Sequence, residues 1–307
     1  MAQETASTWP RLPLAAWRDT YATLHRWMQI VGKTRLSLAP MQNHWWNVTL
    51  YLTPRGLGTS AMPAGDRAID VEFDFVDHQL VLRTTDRPPM TLALTAKPVA
   101  AFYREYLDAL ATLDVHPYLW PVPVEVADTL RFDEDQIHRS YDPDAANRCW
   151  RALAQADRVF KIFRGRFLGK SSPSHFWWGS FDLACTRFSG RRAPTHPGGV
   201  PNCPDYVTRE AYSHECISVG WWPGSEGSVA EPAFYAYAYP EPAGCSAASI
   251  APAGAYYHTG LHEWILPYER LRTAADPDAA VLAFCDSTYT TAATLGGWDH
   301  SLERRTG

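Results

Sequence analysis

Gly169-Lys170-Ser171, then Ser174-His175-Phe176-Trp177-Trp178, then Thr186-Arg187-Phe188-Ser189-Gly190 repeat a passage met earlier in the chain. The earlier passage is Gly32-Lys33-Thr34, Asn43-His44-Trp45-Trp46 and Thr53-Pro54-Arg55-Gly56. Working outward, Trp17-Arg18 returns as Trp150-Arg151, and Val99-Ala100-Ala101-Phe102-Tyr103 as Val281-Leu282-Ala283-Phe284-Cys285, in the same order. Self-similarity over such a span reads as one supersecondary unit duplicated and packed on its copy. The sequence therefore predicts an α+β fold of two similar halves related by a pseudo-twofold, each a helix, a mostly antiparallel sheet and a helix. The expected boundaries are an extended lead-in over 1–13, a first repeat over 14–115, a connector over 116–144, a second repeat over 145–298 and a tail over 299–307.

Periodicity fills in the halves. Trp17, Tyr21, Leu24, Trp27, Met28 and Val31 follow helical spacing, with Gly32 read as the helix end. His44 to Thr53 is aromatic and β-branched and reads as a strand. Ala68 to Val76 alternates Ile69, Val71, Phe73 and Phe75 against Asp70, Glu72 and Asp74, as a half-buried strand does. Gln79 to Thr84 and Met90 to Leu94 continue as strands, and short polar turns imply antiparallel pairing. A helix follows from Pro98 to Leu113, and the acidic run Asp133-Glu134-Asp135 in the proline-rich connector reads as a solvated face. The second half predicts helices over 145–167 and 278–295 and strands at 176–187, 212–219 and 233–239. A Pro/Gly-rich loop over 191–204 is long enough for a lid.

A net charge of −5 offers no basic field for a phosphate backbone, so no nucleic-acid partner is expected. Met1 to Ser7 has neither the basic nor the apolar region of a secretory signal, and no apolar run reaches membrane-spanning length. The six cysteines contain no C-x-x-C pair, which fits reduced thiols. A cytoplasmic protein with no membrane partner is the expectation. The 13 tryptophans exceed what a chain of 307 residues needs for its core.

Chemistry-bearing residues concentrate in the second half. His44 and His175 stand at matching places and are expected to face one cleft between the repeats. Asp182 lies in an otherwise apolar strand, where a carboxylate is costly unless it is paired, exposed or functional, and its counterpart in the first half is Leu50. His214 on the next strand could use Asp182 as orienter, so His175, His214 and Asp182 are the candidate proton-transfer set. Lys170 and Arg187 are candidates for holding an anionic group. Trp46, Trp178, Tyr235 and Tyr237 would wall the ligand, with His44 and Glu215 beside them. Each has a plain structural alternative: a capped strand end, a hydrogen-bonded edge histidine, a core aromatic.

No metal or cofactor is expected: spacing does not support a ligand set, and His258-x-x-x-His262-Glu263 contains Gly260 and precedes Pro267, against a helical zinc site. Gly32-Lys33 and Gly169-Lys170 lack the upstream spacing of a phosphate loop, and Ser213 lacks a nucleophile-elbow context. Cys185, next to Phe181 and Leu183 on its strand face, reads as buried and inert.

At Asn43-His44-Trp45-Trp46, at Gly169-Lys170 through His175-Phe176-Trp177-Trp178-Gly179-Ser180-Phe181-Asp182, at Tyr212-Ser213-His214-Glu215 and at Phe234 to Pro240, the chain resembles a bacterial family, domain-of-unknown-function family 5996. The resemblance runs from about Trp9 to Trp298 and implies no assigned activity, so no residue role is carried over. The residues alone favour an enzyme acting on a small organic molecule in a cleft between the repeats. The alternative is a non-catalytic small-ligand binder with a Trp/Tyr-lined pocket; a third reading uses the aromatic surplus in a homo-oligomer interface.

Overall fold

The computed structural model describes residues 8–225 and 227–302. Met1–Ser7, where a signal was sought, lies outside the described residues, as do residues 303–307 of the tail expected over 299–307.

Helix α1 (Arg18–Leu38) buries Trp27, Met28, Ile30 and Val31 completely. Gly32 does not end it. A methyl group at Gly32 would overlap the Trp178 indole, so the glycine serves a close approach inside the helix, which runs six residues further to Leu38. Lys33 accordingly sits in the helix body, donating to the Val122 carbonyl at 2.8 Å, rather than past its end. The strand expected over 44–53 is instead a single 3-10 turn, Asn43–Trp45, followed by a two-residue strand β1 (Tyr51–Leu52). His44 and Trp45 both take left-handed φ values, 59° and 60°, which no strand allows.

The first sheet continues with β2 (Gly56–Gly58), β3 (Met62–Ala64), β4 (Arg67–Asp74), β5 (Gln79–Thr84) and β6 (Met90–Ala93). All pairings are antiparallel, in the order β1-β2-β4-β5-β6 with β3 on the side of β4. The alternation in β4 is the one the sequence predicts up to Phe73: Ile69, Val71 and Phe73 are buried, while Asp70 and Glu72 pair with Arg83; Asp74, expected on the polar face, is buried and pairs with Arg55. Helix α2 (Val99–Thr112) stacks Phe102 on Trp27 at 4.6 Å.

The connector up to Asp142 has neither helix nor strand. Its acidic run is not all solvated. Asp135 is fully buried, accepts from the Ile137 and His138 amides and from the His138 ring, and pairs with Arg26 at 3.2 Å. Helix α3 (Pro143–Gly165) starts where Asp142 accepts from the Ala145 amide, with proline at its first position.

The second sheet comprises β7 (His175–Trp177), β8 (Asp182–Arg192), β9 (His214–Trp222), β10 (Ala233–Tyr239), β11 (Tyr256–His258) and β12 (Glu263–Pro267). It is antiparallel, ordered β11-β12-β10-β9-β8-β7. Helix α4 (Asp205–Ala211) lies between β8 and β9, and α5 (Tyr268–Arg272) and α6 (Pro277–Leu295) follow. The strand expected over 176–187 is a hairpin turned at Gly179-Ser180-Phe181, with Phe181 at φ 58°. Asp182 therefore opens β8 instead of lying mid-strand.

The edges of the two sheets meet where Leu50 and Phe176 exchange backbone hydrogen bonds, both 2.9 Å. One continuous core runs from Trp9 to Trp298 through both halves. Among the described residues, no helix is long and apolar enough to cross a membrane.

Candidate functional site

The two faces of the second sheet differ. Phe176, Leu183, Cys185, Ile217, Val219, Trp221 and Phe234 belong to the core, against which α3 and α6 pack. Strand alternation sends Asp182, Ala184, Thr186 and Phe188 of β8, Ser218 and Trp222 of β9, and Tyr235 and Tyr237 of β10 to the opposite face. There they floor a cavity of about 410 Å³. Its cover comes from elsewhere: Val200 and Cys203 of the Pro/Gly-rich loop, Val207 and Thr208 of α4, Trp45 of the 3-10 turn and Trp46 just after it, and Glu125 of the connector. The site thus sits on one sheet, roofed by loops from both halves, rather than midway between two equivalent edges.

Three carboxyl groups line it: Asp182, Glu125 and Glu263. Asp182 accepts hydrogen bonds from the Ser180 and Tyr235 hydroxyls. Tyr235 reaches it by lying across Gly220 of the intervening strand, where any side chain would collide with the phenol ring. Burial pushes the Asp182 carboxyl up to about 6, against the hydroxyls that favour its charge. Burial, then the charge of Asp182, pushes Glu125 up to about 7 and Glu263 up to about 8. Glu125 is exposed by surface yet crowded by protein. Its carboxyl lines the cavity and lies against Gly179, where a side chain would collide with it. All three carboxyls are thus shifted upward, and the Asp182 charge links the other two to it. Among the described lining residues there is no lysine or arginine, and no group of three or more His, Cys, Asp or Glu is arranged to hold a metal ion among the described residues.

The histidines proposed for proton transfer do not meet Asp182 in the cavity. His175 is 1% exposed, enclosed by Trp46, Tyr51 and Trp177, with its Nδ1 unpartnered; burial, with Arg35 and Arg164, drives its pKa down to about 3. His214 lies outside the lining, its ring 5.6 Å from that of His44. His44 does line the cavity. Its Nδ1 donates to the Ala211 carbonyl at 2.8 Å and its Nε2 accepts from Lys170 at 2.9 Å; burial, with the Lys170 charge, lowers its pKa below the usual imidazole value. Lys170 stands behind it, over the Trp46 and Phe188 rings.

Other residues read as ligand contacts fall elsewhere. Arg187 points to the helix side of the sheet, its guanidinium 3.5 Å from the Phe163 ring centre and donating to the Phe163 carbonyl. Trp178 packs against α1 and donates to the Val48 carbonyl at 2.7 Å. Glu215 pairs with Arg191 at 2.6 Å beside a different, smaller hollow. Trp46, Tyr235 and Tyr237 line the cavity. Glu125 and Glu263 escaped the sequence reading. Glu125 lies in irregular chain with no periodicity, and Glu263 was read only as part of a doubtful zinc pattern, although its place beside Pro267 and the apolar Trp264-Ile265-Leu266 is a strand signal.

Fold and site together define an α+β protein of two antiparallel sheets bearing an acidic, aromatic-walled cavity on one of them. The profile described as "Family of unknown function (DUF5996)" matches residues 9–304, and the chain belongs to that family. No curated protein and no solved structure matches it.

Proposed function

We propose that the protein binds a small organic molecule in the cavity on the second sheet, with its flat surfaces against tryptophan and tyrosine rings and its polar end at Asp182. The observation that carries this reading is a volume of about 410 Å³ walled by Trp45, Trp46, Trp177 and Trp222 over a buried, hydrogen-bonded carboxyl. Left-handed backbone at His44, Trp45 and Glu125, all lining residues, adds support, since such conformations gather at ligand sites. A catalytic form of the reading is supported by Asp182 and Glu263 lining the same cavity with both carboxyls raised by burial, as groups that exchange a proton near neutral pH require. In that form carboxyls, not His175 and His214, move the proton.

Two tandem copies over 14–115 and 145–298, joined by 116–144, are part of the proposal. Helix-flanked meanders in both halves support them, although His44 in a left-handed turn and His175 in a strand are not local equivalents. A cytoplasmic setting is also proposed, on six free thiols.

The test is a thermal-shift panel of amines, polyols, sugars and heteroaromatic compounds on the wild type and on Val207→Trp, which fills the cavity from its cover. The reading expects at least one class to raise the melting temperature of the wild type alone. A panel without effect, or a shift that Val207→Trp retains, contradicts it.

A further inference from the structure

The chemistry of the cavity selects among small molecules. Asp182 from β8, Glu263 from β12 and Glu125 from the connector bring negative charge from three separate parts of the chain into one hollow. The Glu125 and Glu263 side chains have no hydrogen-bond or ion-pair partner among the described residues, and the Asp182 charge disfavours ionisation of both. The remaining titratable groups do not offset it. Tyr235, Tyr237 and Tyr212 are held neutral by burial, and the Tyr212 and Tyr237 hydroxyls are joined at 2.8 Å. Lys170 is kept behind the neutral His44 ring. An anion is repelled here, and a neutral polyol leaves the repulsion among the acids in place. A cation relieves that repulsion and is attracted to the ring faces as well.

We propose that the ligand class is an organic cation, an amine or quaternary ammonium, with its charged end among Asp182, Glu125 and Glu263 and its organic body against the tryptophans. This rests on the reading of the cavity as the binding site. Binding lowers the pKa of the acids, so protons leave Glu125 and Glu263 on association, and affinity rises from about pH 6 to about pH 8, the span of the three groups.

The test is calorimetric titration of the full chain with choline against its neutral isostere 3,3-dimethylbutan-1-ol, and with benzylamine against benzyl alcohol. Measurements in buffers of different ionisation enthalpy count released protons. Each cation is expected to bind at least about tenfold tighter than its isostere, with proton release. The preference is expected to shrink and the proton release to disappear in Glu125→Gln/Glu263→Gln, whose melting curve reports that it is folded. Equal affinity for the isosteres, an undiminished preference with proton release in the double variant, or no cation bound at millimolar concentration overturns the inference. If benzyl alcohol binds as tightly as benzylamine, or a sugar binds while neither cation does, and Val207→Trp abolishes that binding, the cation inference fails while the cavity reading stands; if binding of every probe survives Val207→Trp, the cavity reading itself fails.

Discussion

Replacing Gly32 by alanine sets two effects of opposite sign against each other. In a helix interior alanine is favoured over glycine by about 1 kcal/mol, so propensity alone predicts a more stable protein. At this position the added methyl meets the Trp178 indole, which is 6% exposed and donates to the Val48 carbonyl at 2.7 Å. Forcing an extra carbon into a packed core costs about 1–3 kcal/mol. If the indole yields, its hydrogen bond is lost in the interior, at a further cost of about 1–3 kcal/mol. Packing outweighs propensity, and Gly32→Ala is expected to lose about 1–5 kcal/mol net. Urea unfolding followed by circular dichroism measures the loss, and the double variant with Trp178→Leu assigns it: without the indole, the alanine becomes neutral or stabilising. A Gly32→Ala protein as stable as the wild type, or an equal penalty in both backgrounds, refutes the reasoning.

Three more outcomes follow from the site. Burial raises the folded pKa of Glu263 from 4.5 to about 8, so its contribution to stability is complete below the unfolded value and is lost as pH rises through about 8. The melting temperature of Glu263→Gln should therefore gain on that of the wild type between about pH 5 and about pH 8; a gap that is constant or shrinks contradicts the assignment. Gly220→Ala displaces the Tyr235 ring from Asp182 and removes a hydrogen bond that favours the carboxylate. The Asp182 carboxyl should titrate higher in a carbon-13 spectrum, and affinity should fall about tenfold; an unmoved carboxyl resonance refutes it. Arg187→Met, changed on the helix side of the sheet, should leave ligand affinity within about twofold whatever it does to stability. A larger loss measured by calorimetry places Arg187 in the site after all.

What the sequence made legible was set by periodicity. Both long helices of the second half, the alternating strand around Val71 and the tyrosine strand around Tyr237 emerged because a buried stripe imposes a spacing that can be read. The hairpin at Gly179-Ser180-Phe181 stayed hidden, since a run of aromatics on both sides of a tight turn looks like one continuous strand. Gly32 misled for a related reason: glycine marks a helix end and a close approach equally well, and only the position of Trp178 decides. In the site, Asp182, Tyr235 and Tyr237 were visible as anomalies within strands. Glu125 was not, because it enters the cavity from irregular chain more than fifty residues away in sequence, and the burial that tunes it exists only after folding. His175 stood out by its neighbours Trp177 and Trp178, and Trp177, with Trp46 and Tyr51, is part of what seals it away.

The most direct measurement is a crystal structure of the protein with benzylamine bound. The account predicts density for the probe over the β8–β10 face of the second sheet, its ring against the tryptophans and its nitrogen within hydrogen-bonding distance of Asp182, Glu125 or Glu263. Density only at the hollow beside Glu215, or a cavity closed by its own side chains, would contradict it.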